Sequence, residues 1–139
     1  MKKFLSLFLI LGFLALIGCS DDATAPTNGG GLGGGGNGGG GGVTFTVSLA
    51  QDQQQQYYFE FKPSTAVVIN TITANCAAAG VNNEQVTDNG TSVYDANNPA
   101  YVGPITVLAQ GQQWSFTIAG KLGSSTGTAY SVTTNYTVQ

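Results

Sequence analysis

Apolar and polar residues alternate one by one through much of this chain, and this period of two is the feature that most constrains its fold. The alternation is clearest in residues 43–49, 57–62, 114–119 and 130–138. Successive side chains of a β-strand point to opposite faces, so these segments predict strands with one buried face and one face in water. An amphipathic helix would instead need apolar residues three or four positions apart. The pattern therefore predicts an all-β domain.

Further strand and turn signals complete this prediction. Weaker strand signals cover residues 66–76, 84–88, 91–95 and 101–108. Asp88-Asn89-Gly90 predicts a type I′ hairpin, because both central residues of that turn need positive φ. Gln110-Gly111 and the segment Gly123–Gly127 predict two more turns. Seven or eight short strands at this spacing predict a two-sheet sandwich of the immunoglobulin type. The stretch Leu108–Phe116, before a long final strand, resembles the closing hairpin of several bacterial Ig-like domains.

Glycine dominates the segment that precedes the first strong strand signal. Residues 29–42 are all glycine except for Leu32 and Asn37. Glycine loses the most backbone entropy on ordering, and this run has almost no apolar surface to offset that loss. We therefore expect residues 19–42 to form a disordered linker and residues 43–139 to form one domain of ordinary size.

The N-terminal residues have the pattern of a signal peptide. Lys2 and Lys3 precede the apolar run Phe4–Ile17, which is shorter than the roughly 20 residues that span a membrane. Residues 1–18 are therefore predicted to be a cleaved signal peptide. Leu16-Ile17-Gly18-Cys19 resembles the lipobox of bacterial lipoproteins, which implies that Cys19 becomes the lipid-bearing first residue of the mature chain. Ordinary secretion and a retained membrane helix are the alternatives.

The residues after Cys19 bear on the destination of the protein. Ser20-Asp21-Asp22 resembles the export signal that sends lipoproteins of the Bacteroidota to the outer face of the outer membrane. A serine next to the cysteine also resembles the outer-membrane sorting class of enterobacteria. Both resemblances imply that the protein is attached to the outer membrane. They differ on whether it lies on the periplasmic face or on the cell surface. The alternative is that these residues are simply the solvated start of the linker.

Composition excludes several kinds of chemistry. The chain has no histidine and no arginine, and its formal net charge is −3. The lack of histidine removes triads based on it and the commonest metal ligand. An acidic domain without arginine is a poor partner for nucleic acid. We therefore expect no catalytic residues, no metal site, no cofactor and no nucleic-acid partner.

Cys76 is the second cysteine, and the strand pattern places it on the same side as Ile72 and Ala74. We expect a buried thiol that acts as a small apolar group. An intermolecular disulfide and a catalytic nucleophile are the alternatives.

Two aromatic residues are candidate binding residues. Alternation places Tyr58 on the face opposite Tyr57 and Phe59, and hence in water, whereas Trp114 is expected to pack inward. Tyrosine and tryptophan are frequent in binding hot spots. The sequence thus predicts a membrane-anchored, non-catalytic binding or structural module of the cell envelope, with an unknown protein or glycan partner. The alternative function is a carbohydrate-binding module that uses Tyr58 and Trp114.

Overall fold

A computed structural model describes residues 4–6 and 42–139, and this part of the chain is an all-β sandwich. Its strands are β1 (Phe4–Ser6), β2 (Phe45–Gln51), β3 (Tyr57–Pro63), β4 (Val67–Cys76), β5 (Val81–Thr87), β6 (Val93–Tyr94), β7 (Ala100–Ile105), β8 (Gln113–Leu122) and β9 (Ala129–Thr137). A short 3-10 helix, Ala77–Ala79, connects β4 to β5. Among the described residues no helix is long and apolar enough to cross a membrane.

The strands form two sheets, each built mainly from antiparallel pairs. Sheet A has the order β1-β7-β3-β2, in which β1 joins the edge of β7 in parallel. Sheet B has the order β5-β4-β8-β9, and β6 pairs with the remaining length of the same edge of β4. In the letters used for immunoglobulin domains, β2, β3 and β7 correspond to strands A, B and E, which share one sheet, and β4, β8 and β9 correspond to strands C, F and G, which share the other. This is the arrangement of an immunoglobulin-like sandwich, so the predicted fold is confirmed.

The predicted hairpin at Asp88-Asn89-Gly90 is wrong. Strands β5 and β6, which flank this turn, do not pair with each other, because both pair with β4. The turn is instead a loop along one edge of β4, anchored by a backbone hydrogen bond from Asp88 N–H to the Asn70 carbonyl at 2.9 Å. The Asn89 side-chain oxygen accepts from the backbone N–H groups of Thr91 and Ser92 at 2.8 and 3.1 Å. These bonds give the loop its own partners, so it needs no hairpin ladder.

The core lies between the two sheets and is rich in aromatic rings. Phe59 of β3 is at its centre, with ring centroids 4.9 Å from Trp114, 4.8 Å from Phe116 and 5.9 Å from Tyr136. These tilted and edge-to-face arrangements are the ones that aromatic pairs favour. Cys76 is buried in the same cluster, on the same side as Ile72 and Ala74, and its predicted burial is confirmed.

Candidate functional site

Trp114 is a core residue, and the prediction that it packs inward is confirmed. Its side chain is 2% exposed, and its ring stacks on Phe116 with a centroid distance of 6.0 Å. The indole N–H donates to the side-chain oxygen of Gln112 at 3.4 Å. Trp114 therefore stabilises the sandwich and presents no ring face on which a ligand could stack.

Tyr58 lies on the outer side of sheet A, but its predicted exposure is wrong, because only 8% of the residue is accessible. The ring covers Gly103 of the neighbouring strand so closely that a Cβ at Gly103 would lie 2.7 Å from the Tyr58 Cδ1 atom. The hydroxyl donates to Asp52 Oδ2 at 3.1 Å and to Gln56 Oε1 at 3.2 Å. Burial, the bond to Asp52 and the charge of that carboxylate raise the pKa of Tyr58, which keeps its hydroxyl a donor at neutral pH.

Tyr57, expected on the inner side with Phe59, is instead 43% exposed. The pairing of β3 with β7 shifts register between Tyr57 and Phe59. The pairing of β3 with β2 keeps a regular register here, so the extra residue of the β3–β7 pair lies on β7. Tyr57 is exposed as the first residue of β3, at the end of the strand. The exposed aromatic ring of β3 is therefore one position earlier than predicted.

Glu60 organises the outer face of sheet A. Its two carboxylate oxygens accept hydrogen bonds from separate strands, one from the Ser48 hydroxyl and one from the Tyr101 hydroxyl, both at 2.8 Å. Burial, followed by the bond to Glu60 and its charge, raises the pKa of Tyr101 to about 12. At neutral pH the tyrosine hydroxyl is therefore protonated and donates the hydrogen bond to Glu60.

A third tyrosine–carboxylate pair lies beside the loop after β5. The Tyr94 hydroxyl donates to Asp88 Oδ2 at 2.9 Å, and the ring itself is almost fully buried. Burial is the main cause that raises the pKa of Tyr94 well above its ordinary value, and Asp88 adds to it. This pair fastens the loop to the end of the core.

The outer face of sheet B has a different composition, and sequence reasoning missed it as a unit. The outward residues of β5, β4, β8 and β9 lie side by side in rows that cross the sheet. In that strand order, two rows are Thr87-Thr71-Ala119-Ser131 and Gln85-Thr73-Thr117-Thr133. A third row, Asn75-Ser115-Asn135, crosses β4, β8 and β9. We call these residues the hydroxyl face. The Thr117 and Thr133 hydroxyl oxygens lie 3.1 Å apart across the β8–β9 pair. The alternation predicts the outward orientation of each polar residue separately, but only the pairing register shows that these residues form one surface.

Several sequence predictions concern residues that the structure does not describe. Cys19, the cleavage site and almost all of residues 1–42 lie outside the described residues. Within the part that the structure describes, no group of three or more His, Cys, Asp or Glu side chains is placed to hold a metal ion.

Comparison of the chain with protein-family models, curated proteins and solved structures finds no match.

Proposed function

We propose that this protein is a lipid-anchored, non-catalytic binding or structural module of the cell envelope, attached to the outer membrane through Cys19. The observation that carries the proposal is the order of three features along the chain. Leu16-Ile17-Gly18-Cys19 follows a short apolar run, the glycine-rich segment comes next, and the folded sandwich follows directly. This is the order expected of a protein in which a lipid anchor is joined by a flexible linker to a folded domain.

Physical chemistry supports this division of roles. Lipid chains contribute about 0.8 kcal/mol per buried CH₂, so one chain binds a membrane marginally and two or more anchor a protein stably. A glycine-rich linker of about 23 residues has an expected mean span of about 25 Å and a maximum reach of about 75–80 Å. Such a linker would let the domain reorient and reach partners beyond the lipid headgroups.

Mass spectrometry of the protein purified from membranes tests the anchor. We expect an N-terminal peptide that begins at Cys19 and carries diacylglycerol on the sulfur. Cys19→Ser should abolish this modification and leave residues 1–18 attached. Cys76→Ala is the matched control, because it removes the other cysteine, which is buried, and should leave the lipid in place. An unmodified mature N-terminus at another position would refute the proposal.

The proposed outer-membrane location has its own test. Separation of inner and outer membranes should place the protein with the outer membrane, and protease added to intact cells should degrade it if Ser20-Asp21-Asp22 directs it to the surface. The double variant Asp21→Asn and Asp22→Asn keeps the size of both side chains and removes their charge. If the acidic residues direct export, this variant should resist external protease while it stays lipidated. Recovery of the unaltered protein in the inner membrane would contradict the location.

The alternative, a carbohydrate-binding module that uses exposed aromatic rings, has lost its two candidate residues. Trp114 is in the core, and the Tyr58 ring is buried against Gly103. A glycan-binding role therefore needs another surface of the sandwich.

A further inference from the structure

The hydroxyl face combines a large number of polar side chains with an absence of charge. Its rows contain threonine, serine, asparagine, glutamine and one alanine, and none of them contains an acidic or basic residue. Two charged residues lie at its margin: Lys121, the next outward residue of β8, and Glu84, which is exposed beside Gln85 on the edge strand β5. On β9 the outward residues Ser131, Thr133 and Asn135 are exposed. In contrast, the outer face of sheet A carries Glu60 and the buried Tyr58 ring.

The hydrogen-bonding groups of this face are regularly spaced. Neighbouring strands lie about 4.8 Å apart, and outward residues repeat about every 6.8 Å along each strand. Each hydroxyl group both donates and accepts, and each amide side chain offers both kinds of atom. Beneath them, the inward residues Phe116 and Ile118 are fully buried and hold strand β8 in place. The sheet therefore presents an ordered set of neutral donors and acceptors on a rigid base.

The composition of the face selects among kinds of partner. Protein interfaces depend on buried aromatic and arginine anchors and are depleted in serine, and this face has no such anchors. Nucleic acids and anionic lipids require clustered positive charge, which it also lacks. Four strands by about six residues give an area on the order of 300–400 Å², well under the roughly 800 Å² per partner of a stable protein complex. A second copy of the chain is disfavoured for the same reason.

We infer that the hydroxyl face binds an uncharged polysaccharide. A neutral glycan carries many hydroxyl groups that donate and accept, as this face does, and direct or water-mediated hydrogen bonds between them need neither charge nor a deep pocket. The inference rests on the proposed function, since it names the partner of the proposed binding module.

Membrane anchoring makes a weak single contact sufficient. A polymer offers the same group many times, and many copies of an anchored domain share one surface. Once one copy is bound, the next binds at a raised effective concentration, so the overall affinity can rise by about 10²–10⁴ without any new contact. A small, shallow and uncharged face is suited to this kind of binding.

Affinity electrophoresis of the protein as purified from membranes, in neutral detergent, tests the inference. Native gels would contain a dissolved β-glucan, α-glucan, mannan or xylan, with anionic alginate as the charged comparison. We expect at least one of the neutral polymers to retard the protein, and alginate to leave its mobility unchanged. No retardation by any of the four neutral polymers, or retardation by alginate alone, would overturn the inference.

Thr133→Lys and Asn135→Lys place a positive charge at exposed positions of the face. Each should weaken the apparent association constant by at least about 5-fold, the effect of losing one hydrogen bond. Thr46→Lys is the matched control, because Thr46 is an exposed threonine of β2, and it should bind as the unaltered protein does. Melting curves establish that all three variants are folded.

If Thr133→Lys and Asn135→Lys, both folded, bind as well as Thr46→Lys, the glycan site is elsewhere and the inference is wrong. The result of the glycan-binding experiment can be distinguished from the result of the lipid-anchor experiment. Lipid on Cys19 with no retardation would refute only the glycan inference, whereas retardation without lipid would refute only the anchor.

Discussion

Burial of single side chains decides which aromatic residues stabilise the domain and which are available at its surface. Trp114 contacts Phe59 and Phe116 in the core and is 2% exposed, whereas Tyr57 is 43% exposed. Truncation of a buried tryptophan removes its contacts and leaves a cavity. The two residues are both large and aromatic, so they form an informative pair for mutation.

We predict that Trp114→Ala lowers the free energy of unfolding by about 3–5 kcal/mol, a large part of the stability of a domain of this size. Tyr57→Ala, the control, should change it by less than about 1 kcal/mol because 43% of the residue is in water. Urea unfolding followed by tyrosine fluorescence measures both. Equal losses in the two variants would mean that the assignment of inner and outer residues on β3 and β8 is incorrect.

Sequence alternation predicted the face of Tyr58 correctly but not its burial. The face follows from local geometry, because neighbouring residues of a strand point to opposite sides. The burial depends on Gly103, which lies 45 positions later and reaches Tyr58 only through the pairing of β3 with β7. Trp114 was predictable because its own strand, with Phe116 and Ile118, contains enough apolar residues to mark the buried face. The hydroxyl face was not, because its rows depend on the register of four strands.

At the scale of the strands, local sequence predicts where a strand lies but not which strand it pairs with. The four strongest alternating segments correspond to β2, β3, β8 and β9. Asn89-Gly90 has the residue types of a tight turn, and Gly90 does have positive φ, at 70°. The partner of the following strand is nevertheless set by β4, which is 10 residues long and pairs along one edge with both β5 and β6. The residue types of a turn do not predict the length of a distant strand or which strands pair with it.

The contact between β4 and β8 gives a prediction at the scale of elements. Gly120 lies opposite Ile69, where the register of this pair shifts, and a Cβ there would collide with the Val68 carbonyl oxygen and lie 2.9 Å from the Tyr130 hydroxyl. Because the first obstacle is backbone, Gly120→Ala must separate the two strands. We expect it to lower the free energy of unfolding by about 3 kcal/mol or more, within the range of strong overpacking.

Gly123→Ala is the control for this change. Gly123 has positive φ, at 67°, but its added Cβ would meet no atom within 4 Å. It should therefore cost only about 1 kcal/mol, from backbone strain. Thermal unfolding by circular dichroism compares the two variants. A Gly120→Ala protein as stable as the Gly123→Ala protein would contradict the close packing of β4 against β8.

At the scale of the whole molecule, the buried cluster extends from Val43 to Val138 and includes residues of both sheets. β1 adds one parallel pairing of three residues to the edge of β7. A domain of this size buries enough surface to fold without a further element. Val43, the first residue of the expected domain, is part of this buried cluster.

We predict that a chain that begins at Val43 folds into the same sandwich as the full chain. Because strands β2 to β9 and the buried cluster of the described residues lie within residues 43–139, it should unfold in one cooperative transition. Its free energy of unfolding should lie within about 1 kcal/mol of that of the full chain, because the only described strand that it lacks is the short edge strand β1. Circular dichroism and urea unfolding of both chains measure this, with Trp114→Ala in the shortened chain as a destabilised reference. If the shortened chain is unfolded, or unfolds without cooperativity, residues before Val43 are part of the folded unit, and the division into an anchored linker and a separate binding domain must be abandoned.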